Sequence, residues 1–211
     1  MAGGRWRLTS TSVVVRAVVF DIGGVLEITP ALGWDTVWAD RLGLSPAEFY
    51  ERTFPVWRAG SIGAICEADV HRRLGDLLGL AETQVDALMS DVWTEYLGSL
   101  NVELSEYFRG LRPRYRTAIL SNSFVGARER EHERYGFGDI TDLIVYSHEV
   151  GMSKPDPRIY ELTCGRLGVR PEEAIFLDDV EPFVDAARQA GMQAILFKNN
   201  EQAIADIDVS L

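Results

Sequence analysis

The sequence predicts an α/β protein, a parallel sheet core carrying an inserted helical cap. Short β-branched apolar runs alternate with helical stretches at the spacing of βαβ units. Residues 31–98 break that rhythm, being helical in pattern with no strand signal. Four of the runs end on residues able to do chemistry, the edge at which open α/β sheets bind ligands.

Residues 13–20 are β-branched and almost continuously apolar, as in a strand buried on both faces. The run stops at Asp21-Ile22-Gly23-Gly24, where glycines permit a tight turn. In the insertion, Ser45-Pro46-Ala47-Glu48 is a capping box with Pro at the first helical position. Residues 66–80 follow as a second helix closed by Gly79, and 82–97 carry Val85, Leu88, Met89, Val92 and Tyr96 at helical spacing. Strands return at 116–120, 140–147, 174–177 and 194–197. Helices are expected at 157–167 and 183–190, the latter packing Phe183, Ala186, Ala187 and Ala190 on one face. The core is therefore assigned to 13–30 and 100–211, the cap to 31–99, and a loose N-terminus to 1–12.

With 32 Asp+Glu against 21 Lys+Arg, the formal net charge is −11. Such a surface repels nucleic acid and anionic lipid, so neither is expected as a partner. Phosphorylated molecules are repelled too, so a site for them needs local positive charge. Cys66 and Cys164 lack CxxC spacing and are expected as reduced, buried thiols. No run approaches the ~20 apolar residues of a membrane span, and 13–20 lack a small-residue cleavage site. A cytoplasmic protein is expected; the oligomeric state is open.

Asp21 follows the first strand, and its carboxylate is able to attack phosphorus. Ser121-Asn122-Ser123 follow the second, offering a hydroxyl and backbone N–H groups to an anion. Lys154, in Gly151-Met152-Ser153-Lys154-Pro155-Asp156-Pro157, is held by stiff backbone where it can offset charge. Asp178-Asp179 are adjacent carboxylates that repel unless a cation such as magnesium lies between them. Each has an ordinary alternative: a turn cap, a plain turn, a solvated lysine, an acidic helix start. Their joint order at strand ends is what argues for a site.

That order, with Phe20-Asp21-Ile22-Gly23-Gly24-Val25-Leu26, Leu120-Ser121-Asn122-Ser123, the Lys154 segment and Phe176-Leu177-Asp178-Asp179, resembles the four motifs of the haloacid dehalogenase superfamily. The insertion resembles the cap of its phosphatase-rich branch, such as glucose-1-phosphate phosphatase and the amino-terminal phosphatase domain of soluble epoxide hydrolase. The resemblance implies a Rossmann-like core and a phosphatase of small phosphorylated metabolites, sugar phosphates among them. It implies Asp21 as nucleophile, with Mg2+ held by Asp21, the Gly23 carbonyl and the Asp178/Asp179 pair. Ser121, Asn122 and Ser123 would hold phosphate oxygens, and Lys154 would balance charge.

One position departs from the pattern. Most phosphatases of the superfamily have a second Asp two residues after the nucleophile, and here Gly23 stands there. General acid–base help is worth ~10²–10⁴-fold, so either good leaving groups are preferred or another acid serves, with Glu27, Glu149 and His148 as candidates. In the cap, Trp57 and Arg58 suit a sugar phosphate or aromatic substrate, with Phe124 and Trp34 as weaker candidates. Three other readings stay open: a metal-free 2-haloacid dehalogenase using Asp21 on carbon, a degenerate phospho-ligand or partner-binding protein, and a phosphoreceiver module, whose acid pair comes first rather than last.

Overall fold

The computed structural model describes residues 13–211, so the expectation for 1–12 lies outside the described residues. The chain opens with β1 (Ala17–Phe20) and a two-residue strand, β2 (Glu27–Ile28). Four helices follow: α1 (Trp34–Arg41), α2 (Pro46–Ser61), α3 (Glu67–Leu78) and α4 (Glu82–Leu97). Then come β3 (Ser99–Leu100), α5 (Val102–Gly110), β4 (Arg116–Ser121), α6 (Ala127–Tyr135) and α7 (Phe137–Ile140). β5 (Leu143–Tyr146), α8 (Ser147–Val150) and α9 (Pro157–Leu167) lead to β6 (Ala174–Asp178), α10 (Glu181–Gln189), β7 (Gln193–Leu196) and α11 (Asn200–Ser210).

The five long strands form one parallel sheet in the order β5-β4-β1-β6-β7. β1 is central and fully buried. Val18 and Phe20 face one apolar cluster, where Phe20 stacks on Phe108 of α5 at 4.5 Å between ring centroids. Ala17 and Val19 face the other, built from α9, α10 and their neighbours. Helices on both faces explain why the strand reads as a continuous apolar run.

The strand is shorter than 13–20, and Val13 and Val14 are exposed. Its partners set the limit: Ala17 is paired with Arg116 and Ala174, where β4 and β6 begin, and the last backbone bonds on this side are those of Arg16 with Glu173 and Arg116. The run 140–147 is trimmed alike to Leu143–Tyr146, with α7 before it and α8 after. In α10 the buried residues are Val184 and Ala187, while the Phe183 ring is only partly buried and faces the Lys154 ammonium. Cys164 is buried but Cys66, just before α3, is exposed, because it lies outside the helix's apolar stripe of Val70 and Leu74.

α1–α4 carry a third apolar cluster of their own, which takes in Phe124 and Ala127 from the sheet side. α2 begins with the expected capping box: the Ser45 hydroxyl accepts from the Glu48 N–H, and Glu48 accepts from the Ser45 N–H. β2 and β3 pair antiparallel where the chain leaves the sheet and where it returns. Asn101 braces this crossing, its amide donating to the Val25 carbonyl at 2.9 Å. No helix among the described residues is long and apolar enough to cross a membrane.

Because Phe108 is fully buried against Phe20, Phe108→Ala should lower stability by about 3–5 kcal/mol. Urea unfolding at fixed pH measures this; a loss below about 1 kcal/mol would contradict the packing role of the stack.

Candidate active site

The strand order brings the predicted residues together. β4 and β6 flank β1, so Ser121, Asp21 and Asp178 leave three adjacent strands at their C-terminal edge. Asp21 is fixed by its own N–H, which donates to the Leu177 carbonyl at 2.9 Å. Asp178 is fixed by the Val180 N–H, which donates to its Oδ1 at 2.8 Å.

Lys154 comes from the loop after α8, and Asn122 places it. The Asn122 side chain accepts from the Lys154 N–H at 2.8 Å and donates to the Lys154 carbonyl at 2.9 Å. The ammonium, 2% exposed, then lies 2.8 Å from Asp21 Oδ1 and 2.6 Å from Asp178 Oδ2. Phe176 and Phe183 present their rings to it at 5.5 and 5.1 Å. Burial pulls the Lys154 ammonium down, but the charges of Asp21 and Asp178 outweigh it and hold it above its ordinary value. Burial pushes the Asp21 carboxyl up; Lys154 opposes this and Asp178 adds to it.

Asp179 is the exposed member of the group. Burial and then the charge of Asp178 raise its carboxyl. Asp21, Asp178 and Asp179 each offer an oxygen within 4.8 Å of the others. With all three ionised, one ammonium leaves two negative charges uncompensated, and a divalent, oxygen-seeking cation fits that donor set. Gly24 makes room for the Asp179 carboxylate: it takes φ +75°, and a Cβ there would sit 2.1 Å from Asp179 Oδ2. At Gly23, by contrast, a Cβ would meet nothing closer than Thr29 Oγ1 at 3.8 Å. The space for a second acid exists, and the side chain does not.

The three candidate replacement acids fall apart in space. Glu149 is exposed and paired with Arg128. His148 Nδ1 lies 2.6 Å from Ser123 Oγ, and burial pulls its imidazole down. Glu27 is buried on β2, with Oε2 lacking a partner among the described residues. Burial, and then the charge of Glu131, push its carboxyl to about 9. Glu131, equally buried, accepts from the Tyr146 hydroxyl, and burial lifts it to about 7. Sequence reasoning missed Glu131, which sits in the polar run of α6 and gives no signal of its burial.

Trp57 and Arg58 line a cavity of about 520 Å³ together with Asn122, Ser123 and Phe124. Trp34 does not line it, but packs edge-on against Trp57 at 5.6 Å. Tyr50, Phe54, Trp93 and Tyr96 also line it and were not singled out from the sequence. The aromatic spacing Tyr50, Phe54, Trp57 on α2 was the available signal.

Residues 15–191 match the haloacid dehalogenase-like hydrolase family. The chain is 39% identical to bifunctional epoxide hydrolase 2 of Sus scrofa over 93% of its own length, and it spans only 39% of that protein. It is 24% identical to D-ribitol-5-phosphate phosphatase of Bacteroides thetaiotaomicron over 94% of this chain and 99% of that one. A solved HAD family enzyme from the same bacterium, in complex with magnesium and inorganic phosphate, shares the fold with a TM-score of 0.73 and 21% identity, over 87% of this chain and 94% of that one.

Two outcomes follow from the buried charges. Lys154→Met leaves Asp21 and Asp178 facing each other uncompensated and should cost about 3–5 kcal/mol; urea unfolding with and without a divalent cation reads it, and wild-type stability in the variant would refute the ammonium's role. Glu27 and Glu131 keep protons in the folded chain that the unfolded chain, with ordinary values near 4.5, has lost. Folding thus takes up protons, and stability falls as pH rises from about 4.5 through about 7 and on toward about 9. Glu27→Gln should therefore gain stability over wild type at pH 8 relative to pH 5, seen as diverging urea midpoints; parallel midpoints would contradict it.

Proposed function

The chain belongs to the haloacid dehalogenase-like hydrolases, and on that premise we propose that it is a magnesium-dependent phosphatase of a small phosphorylated molecule, working through an aspartyl phosphate on Asp21. One observation carries the reading. Lys154 bridges Asp21 and Asp178 at the sheet edge, and Asp179 completes three oxygens within 4.8 Å. A carboxylate attacking carbon has no use for two further acids beside it, whereas a phosphate needs the cation that they would hold. The phosphatase name of a relative spanning nearly its whole length, and the magnesium and phosphate in a fold neighbour, support the same reading. Both cysteines are unpaired, which suits a reducing, cytoplasmic setting.

In this reading Asp21, Asp178, Asp179 and the Gly23 carbonyl would hold a divalent ion, which would supply positive charge to the nucleophile and to the phosphate oxygens. Asp21 attacks phosphorus, the bond to the alcohol oxygen breaks, and the alkoxide leaves and takes up a proton. Water then cleaves the aspartyl phosphate, releasing inorganic phosphate and restoring the carboxylate. Lys154 holds Asp21 in place and offsets charge near the transferred group. Ser121 and the Asn122 and Ser123 backbone meet the phosphate oxygens, while the Asn122 side chain positions Lys154. α1–α4 act as the cap that closes over the leaving group.

Phosphate release should require magnesium, stop with chelator, and fall by about 10³-fold or more in Asp21→Asn. With no side chain at Gly23 to protonate the leaving group, kcat/KM should drop steeply as leaving-group pKa rises across aryl phosphates. Halide release from a 2-haloacid, with no phosphate release from any ester, would overturn the phosphatase reading.

A further inference from the structure

The cavity beside the carboxylates is walled mainly by carbon. From α2 come Tyr50, Phe54 and Trp57, from α4 Trp93 and Tyr96, and from the sheet side Phe124. The rings form a connected wall: Trp57 to Phe124 at 5.7 Å, Phe124 to Trp93 at 6.1 Å, Trp93 to Tyr96 at 5.2 Å. Tyr50 and Phe54 pair at 5.3 Å at the opening and are 59% and 40% exposed. Large rings left in water at a cavity mouth are unusual unless something covers them.

The polar groups that reach this cavity are mostly committed. Asn122 bonds the Lys154 backbone in both directions. The Ser123 hydroxyl is 2.6 Å from His148 Nδ1, and the Ser61 hydroxyl donates to the Arg58 carbonyl at 3.0 Å. What remains is the hydroxyls of Ser153 and Tyr50, the indole N–H groups of Trp57 and Trp93, the latter buried without a partner among the described residues, and the Arg58 guanidinium, which makes no ion pair among the described residues: a few scattered groups on a wall that is otherwise carbon. A polyol entering here would strip water from each hydroxyl and find few replacements, a loss for every unpaired group. An apolar body of the same size only gains by leaving water.

We propose that the substrate is a phosphate monoester of an apolar alcohol, its hydrocarbon or aromatic body lying among Trp57, Phe124 and the rings of α2 and α4, and that the site discriminates against polyhydroxylated, sugar-type phosphates. The proposal rests on the phosphatase reading above. The cavity shares Asn122, Ser123 and Ser153 with the catalytic edge, so a phosphate at Asp21 points its ester oxygen toward the aromatic wall. Arg58, at the exposed edge of α2, gives the approaching dianion a cation on an otherwise acidic surface.

The test compares kcat/KM for para-methyl-, para-butyl- and para-hexylphenyl phosphate, whose phenols differ little in acidity, with a phenyl phosphate bearing a polyhydroxylated chain of similar length and with a hexose phosphate. Each methylene that enters the cavity should raise kcat/KM by about 4-fold, and Trp57→Ala should flatten that series. Phe54→Ser, at an exposed ring, gives the same readout if the first variant does not fold. A flat series, or preference for the polyhydroxylated compounds, with turnover still lost in Asp21→Asn, overturns the apolar assignment and leaves the phosphatase reading standing. If no ester is hydrolysed, the phosphatase reading fails by itself. The cavity is then judged by tryptophan fluorescence with hexyl- and ethylphosphonate: tighter hexyl binding that Phe54→Ser weakens supports the assignment, and equal or absent binding overturns it.

Discussion

Lys154 places a positive charge between two carboxylates in a region almost without water. Its ammonium touches Asp21 and Asp178 while being 2% exposed. Burying any of the three alone would cost several kcal/mol. Together they tolerate burial, and each holds the others in one geometry. Everything at the candidate site follows from that: β1 and β6 must be neighbours to set the acids side by side, and the loop after α8 must return to the edge of β4. Asn122 makes that return specific by bonding both backbone groups of Lys154. The triad still carries excess negative charge once Asp179 is counted, and this shortfall is what gives the site an appetite for a divalent cation.

The helical unit meets the sheet through a few close contacts rather than a broad seam. A Cβ on Gly60 would lie 2.2 Å from the Phe124 ring, so α2 can rest on that ring only because residue 60 has no side chain. Ser147 donates to the Ser61 carbonyl at 2.7 Å and accepts from the Ser123 N–H at 2.8 Å, linking α2 to the segment after β4. Arg130 of α6 pairs with Glu67 of α3 and lies over the Trp93 ring at 4.2 Å. Phe124 belongs at once to the helical cluster and to the cavity wall beside Asn122 and Ser123. The shape of the cavity and the seating of the helical unit are thus parts of one packing problem.

Behind the cavity lies a second concentration of buried charge. Glu27, Tyr96, Tyr146 and Glu131 meet where β2, α4, β5 and α6 converge, and Asp21 is close enough to raise both acids further. Such a cluster is stable only with its carboxyls largely protonated. It therefore favours the protonated carboxyls toward neutral pH, close to Asp21 and to the side-chain-free position at Gly23. The stability cost of that arrangement as pH rises is the physical mark it leaves on the chain.

The sequence determined the α/β class, the helical run after the first strand and the residues that gather at the candidate site, because each of these is written locally. An apolar run followed by Asp21 or by Asp178-Asp179 reads as a strand end wherever it occurs, and Lys154 among prolines reads as a fixed cation. Helix ends at Ser45 and Gly79 were legible for the same reason, since caps are made by neighbours in the chain. Strand length was not, because β1 begins where β4 and β6 supply partners. β2 and β3 were invisible, as two-residue strands exist only through each other. Tertiary structure alone decided that Asn122 serves the Lys154 backbone, that Cys66 is exposed, that Glu131 is buried, and that rings from α2, α4 and the segment after β4 share one cavity. Hydrogen-bond partners and burial depend on residues tens of positions away, and no local pattern records them.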